Sequence, residues 1–139
     1  MRKGERGPTQ RQLRIGEELR HVLASTFEKG EIRDPGIAGV SVTVTEVRVG
    51  ADLRIATAFV VPLGGGNADA MLGALGRARP YLRRRIAERV RLKFVPDLVF
   101  RLDPSFDEAQ RIEDLLRDPA VARDLDRPEE PSSGGDDGA

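Results

Sequence analysis

The stretch VSVTVTEVRVGADLRIATAFVV, from Val40 to Val61, decides the fold. Val40, Val42 and Val44 alternate with Ser41, Thr43 and Thr45, the period of a strand with one buried face. The alternation slips at Glu46, where an apolar residue is due, and resumes at Val47, so a β-bulge is expected there. Gly50-Ala51-Asp52 supplies turn chemistry. Leu53 to Val61 reads as the return strand, with Leu53, Ile55, Phe59 and Val61 on one face. Two such runs joined by a short polar turn form a hairpin.

Upstream, Thr9 and Gln12 have the spacing of a capping box. Ile15, Leu19, Val22, Leu23, Thr26 and Phe27 then recur at helical spacing, and Gly30 is a natural stop. Glu31 to Gly39 is a loop carrying the turn signal Asp34-Pro35-Gly36. Downstream, Pro62 to Gly66 closes the second strand and Asn67 caps a helix with Met71, Leu72, Leu75 and Ala78 as its apolar stripe. Pro80 removes a backbone donor and clashes with the preceding turn, so the helix must kink or restart. Proline suits the first turn of a new helix, which should run to about Leu92 on the stripe Leu82, Ile86 and Val90.

Pro96 opens a third strand, Asp97 to Asp103, with Leu98, Phe100 and Leu102 on one side. A short helix follows, capped by Ser105 with Glu108, with Ala109, Ile112, Leu115 and Leu116 expected inward. A hairpin followed by a helical crossover to a third strand gives a mixed three-stranded sheet with helices on one face, a two-layer α+β domain. The expected organisation is a loose arm at residues 1–8, a domain at 9–118 and a disordered acidic tail at 119–139.

The charges are unevenly placed. Net charge is zero, yet 18 basic and 10 acidic residues lie between Met1 and Pro96, against 5 and 13 from Asp97 to Ala139. The basic excess concentrates in RARPYLRRRIAERVRLK, Arg77 to Lys93, where Arg77, Arg79, Arg83, Arg84, Arg85, Arg89, Arg91 and Lys93 face one acid, Glu88. One carboxylate cannot neutralise that set at intrahelical spacing, which points to phosphate contact. On a helical wheel Arg84 and Arg91 lie opposite the apolar stripe, while Arg83, Arg85 and Arg89 flank it. Arg84, Arg85 and Arg91 are the expected RNA-facing set, with Arg83 and Arg89 covering the core through their aliphatic stems. The tail, with Glu129, Glu130, Asp136 and Asp137, could instead screen the arginines. The aromatics Phe27, Phe59, Phe94, Phe100 and Phe106 sit where core packing is expected, leaving Tyr81 open, so backbone and shape recognition is favoured over base stacking.

With these elements in order, the chain resembles the ribosome-binding factor A family from about Arg11 to Leu116. The carrying segments are Ile32-Arg33-Asp34-Pro35, then Thr43-Val44-Thr45-Glu46-Val47 with Asp52-Leu53 and Ala56. Arg91-Leu92-Lys93, Pro96-Asp97-Leu98, Phe100, Asp103 and Ser105 complete them. The resemblance implies a KH-like domain of the second topological type, in which a kink of the form Ala-x-Gly replaces the usual GXXG loop. Here the kink is Ala78-Arg79-Pro80: Ala78 matches, and proline replaces the glycine while preserving the bend. It further implies a cytoplasmic, monomeric assembly factor without catalytic residues or cofactor. Such a factor binds the free or immature small (30S) ribosomal subunit and 16S rRNA, and supports late maturation and 5′-end processing of the 16S precursor. In some bacteria it supports growth in the cold, and a GTPase aids its release. The alternative is a protein–protein docking module that uses the hairpin edge or the last helix.

Enzymatic readings find little footing. His21 is the single histidine and Cys is absent, so neither a triad nor a thiolate metal site can be assembled. Gly64-Gly65-Gly66 precedes a helix but lacks the Lys-Ser/Thr of a phosphate loop. Glu46 and Asp52 read as solvated hairpin residues. The charged N-terminus lacks the apolar stretch of a secretory signal, and no apolar run is long enough for a membrane span.

Overall fold

The computed structural model describes residues 7–117 except Gly65. Residues 1–6 of the expected arm and the expected acidic tail at 119–139 lie outside them. The described residues fall into two compact units, one through Asp103 and one from Pro104 to Arg117.

In the first unit the order is α1 (Gln10–Glu28), a 3-10 turn (Pro35–Ile37), β1 (Ser41–Val49), β2 (Ile55–Leu63), α2 (Ala68–Arg77), α3 (Arg79–Arg89) and β3 (Asp97–Leu102). The strands lie in the order β1-β2-β3, β1 antiparallel and β3 parallel to β2. The α2–α3 pair provides the crossover that a parallel connection requires. All three helices bury their apolar residues against one face of the sheet, in a core that includes Leu19, Leu23, Val44, Val60, Met71, Leu75, Leu82, Ile86 and Leu98.

The capping box forms as its spacing predicts. The Gln12 amide donates to Thr9 Oγ1 and the Thr9 amide to Gln12 Oε1, at 3.1 and 2.9 Å. Gln12 Nε2 also donates to the Val49 carbonyl at 3.0 Å, fixing the start of α1 to the end of β1. Further along, Gly16 brings α1 so close to β1 that an added Cβ would lie 2.4 Å from the Val47 carbonyl oxygen.

The bulge is present between Val44 and Glu46. The extra residue shifts the phase of the strand, so Val44 faces the core together with Val47 and Val49.

The second strand differs from its reading. It starts at Ile55, because Leu53 belongs to the turn, with φ +62° and its amide donating to the Gly50 carbonyl. Its buried face is Ala56, Ala58, Val60 and Pro62, not Ile55, Phe59 and Val61. Alanine is small enough to let the helices press onto the sheet, so the larger side chains take the open face. Pro62 belongs to β2 and lies beyond the last residue paired with β3, where proline is tolerated in a sheet.

The third helix stops at Arg89, three residues short of expectation. Val90 is extended, and Arg91 and Lys93 lie in the following loop. The stripe residues Leu82, Ile86 and Val90 are all buried as expected.

In the second unit, α4 spans Pro104–Arg117. Its expected inward residues Ile112, Leu115 and Leu116 are exposed.

Gly16→Ala should destabilise the domain by about 1–3 kcal/mol through overpacking against Val47. Gly76→Ala, whose Cβ meets nothing within 4 Å, should be neutral or gain up to about 1 kcal/mol from helix propensity. Urea unfolding of both variants checks this; equal midpoints would refute the close-approach account.

Candidate nucleic-acid interface

α2 and α3 meet without a loop. Ala78 caps α2 in a right-handed conformation, its amide reaching the carbonyls of Ala74 and Leu75, and its own carbonyl accepts from Leu82 at 2.9 Å. Pro80 occupies the first turn of α3, so the bend at Ala78-Arg79-Pro80 is present. The eight cations around this kink fall into two groups.

Three are engaged within the fold. The Arg77 guanidinium grips Asp34 with two hydrogen bonds, Nε to Oδ2 and Nη2 to Oδ1, both 2.9 Å. Asp34 also accepts from the Gly36 amide at 2.9 Å, so one carboxylate caps the 3-10 turn and ties it to α2. Gly36 allows the turn to approach, since a Cβ there would lie 2.4 Å from the Ala70 carbonyl oxygen. Arg85 is only 24% exposed; its Nη1 donates to Glu88 at 2.8 Å and its Nη2 to Glu31 at 3.4 Å. Tyr81 donates its hydroxyl to the same Glu31 at 2.6 Å. Arg83 turns back onto the loop before β3, giving Nε to the Pro96 carbonyl and Nη2 to the Val95 carbonyl at 3.1 and 2.9 Å.

Electrostatics follow the contacts. Arg77 holds the Asp34 carboxyl down to about 2, with the Gly36 amide second. The Arg77 guanidinium is correspondingly raised by Asp34. Hydrogen bonding to Glu88 raises Arg85, and the bond to Glu31 raises the Tyr81 phenol.

The other five cations, Arg79, Arg84, Arg89, Arg91 and Lys93, are exposed and form no ion pair among the described residues. Arg84 lies over the Tyr81 ring at 5.7 Å and Lys93 over Phe94 at 5.8 Å. Glu88, the one acid in the segment, is already occupied by Arg85. Two of the expected assignments therefore exchange. Arg85 is a fold contact, because Glu31 waits for it more than fifty residues upstream, and Arg89 points to solvent. Arg83 does cover the core edge, as its wheel position indicates.

Two further elements extend the surface. Arg14 of α1 and Arg89 line one shallow groove together with Glu17, Glu18, His21, Val22 and Val90, so acids share that part of the surface. A cleft of about 610 Å³ opens beside the kink, with Arg79, Pro80 and Arg83 on one side and Ile55, Asp97 and Val99 on the other. Tyr81 is tied to Glu31, whereas Phe94, expected in the core, is 69% exposed. No periodic pattern covers the segment after α3, so the expectation of burial for Phe94 rests on its hydrophobicity alone.

The enzymatic candidates are not brought together. His21 Nε2 lies 2.8 Å from Glu17, which also pairs with Arg20, on the exposed side of α1. Arg20 and His21 bring the Glu17 carboxyl down to about 2. Glu46 pairs with Arg48, and Asp52 caps the Arg54 amide in the hairpin turn. Gly65, the middle of the glycine run, lies outside the described residues. Among the described residues no group of three or more His, Asp or Glu could hold a metal, and no helix is long and apolar enough to cross a membrane.

A three-stranded mixed sheet, helices on one face and a loopless kinked pair define a KH-like α+β domain. The sequence profile of ribosome-binding factor A matches residues 11–116. The chain is 58% identical over 127 residues to ribosome-binding factor A of Rhodospirillum rubrum, covering 91% of this chain and 77% of that protein. It is 52% identical over 141 residues to that of Paramagnetospirillum magneticum, covering 99% of each. Among solved structures, ribosome-binding factor A from Thermus thermophilus is similar at TM-score 0.57 and 27% identity, over 66% of this chain and 94% of that one. A Thermus thermophilus homology model fitted into the cryo-EM map of a 30S–RbfA complex is similar at TM-score 0.56 and 26% identity, over 67% of this chain and 96% of that one. The chain belongs to the ribosome-binding factor A family.

The Asp34–Arg77 tether should be visible in titration. The folded Asp34 carboxyl binds its proton at lower pH than the unfolded one, so this contribution to stability is complete above about pH 4 and is lost as pH falls through about 2. Arg77→Ala should return Asp34 toward the ordinary carboxylate range and speed exchange of the Gly36 amide. An NMR carboxyl titration unchanged by the substitution would refute the tether.

Proposed function

We propose that this protein is a ribosome assembly factor that binds the free or immature 30S subunit by contacting 16S rRNA phosphates. In that role it supports late maturation and 5′-end processing of the 16S precursor, acting in the cytoplasm as a monomer and without catalysis. A GTPase acting on the same subunit would aid its release. The observation that carries the reading is the set Arg79, Arg84, Arg89, Arg91 and Lys93, exposed around α3 with its single local acid already taken. Cations left in that state repel one another, and phosphates relieve the repulsion while releasing condensed counterions. Family membership and the 30S–RbfA complex of a relative support the same partner.

A docking reading draws on the exposed Ile112, Leu115 and Leu116 of α4. The two differ in salt dependence: phosphate binding weakens steeply with added salt, apolar docking hardly at all.

The triple reversal Arg79→Glu, Arg84→Glu and Arg91→Glu should leave the unfolding midpoint nearly unchanged and abolish co-sedimentation with purified 30S subunits. Arg77→Glu, Arg83→Glu and Arg85→Glu should instead lower stability, because each puts a carboxylate beside a carboxylate or a carbonyl. Undiminished co-sedimentation of the first variant would sink the proposal.

A further inference from the structure

The segment after α3 presents an aromatic ring where the fold has no need of one. Burying a phenylalanine is favourable, and an inward side is available in this loop. Leu92 and Val95 pack against the core and Pro96 is buried. Phe94, between them, is 69% exposed, the highest value among the exposed large hydrophobic residues. A lone surface phenylalanine is unremarkable. This one is set apart by its neighbours and by how it is held.

Lys93 directly precedes it and Arg91 lies three residues before it, both exposed and without an acidic partner among the described residues, and the Lys93 ammonium lies 5.8 Å from the ring centroid. The loop is pinned at both ends. The Val90 amide donates to the Ile86 carbonyl at 2.8 Å, and Arg83 holds the carbonyls of Val95 and Pro96. The outward position of Phe94 is therefore set by anchored neighbours, and little backbone freedom remains to be lost when something stacks on the ring. A π-face displayed beside two unpaired cations matches an unpaired nucleotide, which offers a base to the ring and a phosphate to each cation. A purely apolar partner would leave both cations buried and unpaired.

We infer that Phe94, with Arg91 and Lys93, forms a stacking site for an unpaired base of single-stranded RNA. The inference rests on the RNA-binding reading above and adds the strandedness of the contact. It gives the interface a component that duplex backbone contacts do not supply.

The chain contains no tryptophan, so Phe94→Trp supplies a single fluorescent reporter at the site. The full-length variant is titrated with a 12-nucleotide oligouridylate, an oligoadenylate of equal length, and a blunt RNA duplex of matched phosphate number. Quenching by the single strands and not by the duplex is expected. Phe94→Ala should weaken single-strand binding about 10-fold, without changing the slope of affinity against salt, because no phosphate contact is removed. Lys93→Ala should instead make that slope shallower by about 0.7. Binding without quenching, or full affinity in Phe94→Ala, overturns the inference. So does Phe94→Ala weakening 30S association while oligonucleotide binding is untouched, which would assign the ring to a ribosomal protein. If the Arg79, Arg84 and Arg91 reversal abolishes 30S binding while Phe94→Ala is neutral throughout, the stacking site falls and the assembly-factor reading stands.

Discussion

Two carboxylates hold the helix pair in place. Asp34 and Glu31 lie in the loop between α1 and β1, far in sequence from α2 and α3, yet Asp34 grips Arg77 and Glu31 meets both Tyr81 and Arg85. The kink at Ala78 lies between these anchor points, so the loop acts as a brace across the bend. Proline is compatible with this loopless junction because it stands in the first turn of α3, where its missing backbone donor is not needed. The helices need not be rigid through the backbone, because each is fixed from outside by a carboxylate on the same short segment.

That arrangement divides the basic residues by purpose. Three arginines are used where a planar fork of donors is required, on a carboxylate, on a pair of carbonyls, or between two acids. The cations left over sit at the end of the kink, on the outer side of α3 and in the loop beyond it. The neutrality of the chain is thus not evenly spread: the exposed cations without an ion pair among the described residues are densest around α3, with others, Arg11, Arg14, Lys29 and Arg33, on α1 and the loop after it.

Much of the fold could be read from residue order. Alternating valines placed β1, the misplaced Glu46 revealed the bulge, and Pro80 placed the break between helices. In the second strand side-chain size, and not hydrophobicity, decides which residues are buried. Ala56 and Ala58 are buried for their small size, while Ile55 and Phe59 are displaced to the open face by the closeness of the helices. The basic site was legible as a segment and not as a set of roles. A helical wheel knows only neighbours three and four residues away, and the partners of Arg85 and Arg77 come from a loop fifty-four and forty-three residues distant. Phe94 is expected in the core on its hydrophobicity alone and is exposed instead: after α3 the chain has no periodicity, so nothing in the local pattern says which way a side chain faces.

The two hydrogen bonds from Arg83 to successive carbonyls also constrain which substitutions the segment can accept. Lysine carries the same charge and three donors, but all on one tetrahedral nitrogen, so it cannot reproduce the two-nitrogen fork that Arg83 gives to the two carbonyls or Arg77 to the Asp34 carboxylate. At Arg91, where only positive charge is presented, lysine is an adequate replacement. A segment that looks like one interchangeable run of basic residues is therefore two alphabets interleaved: positions that must be arginine by shape, and positions that need only be positive.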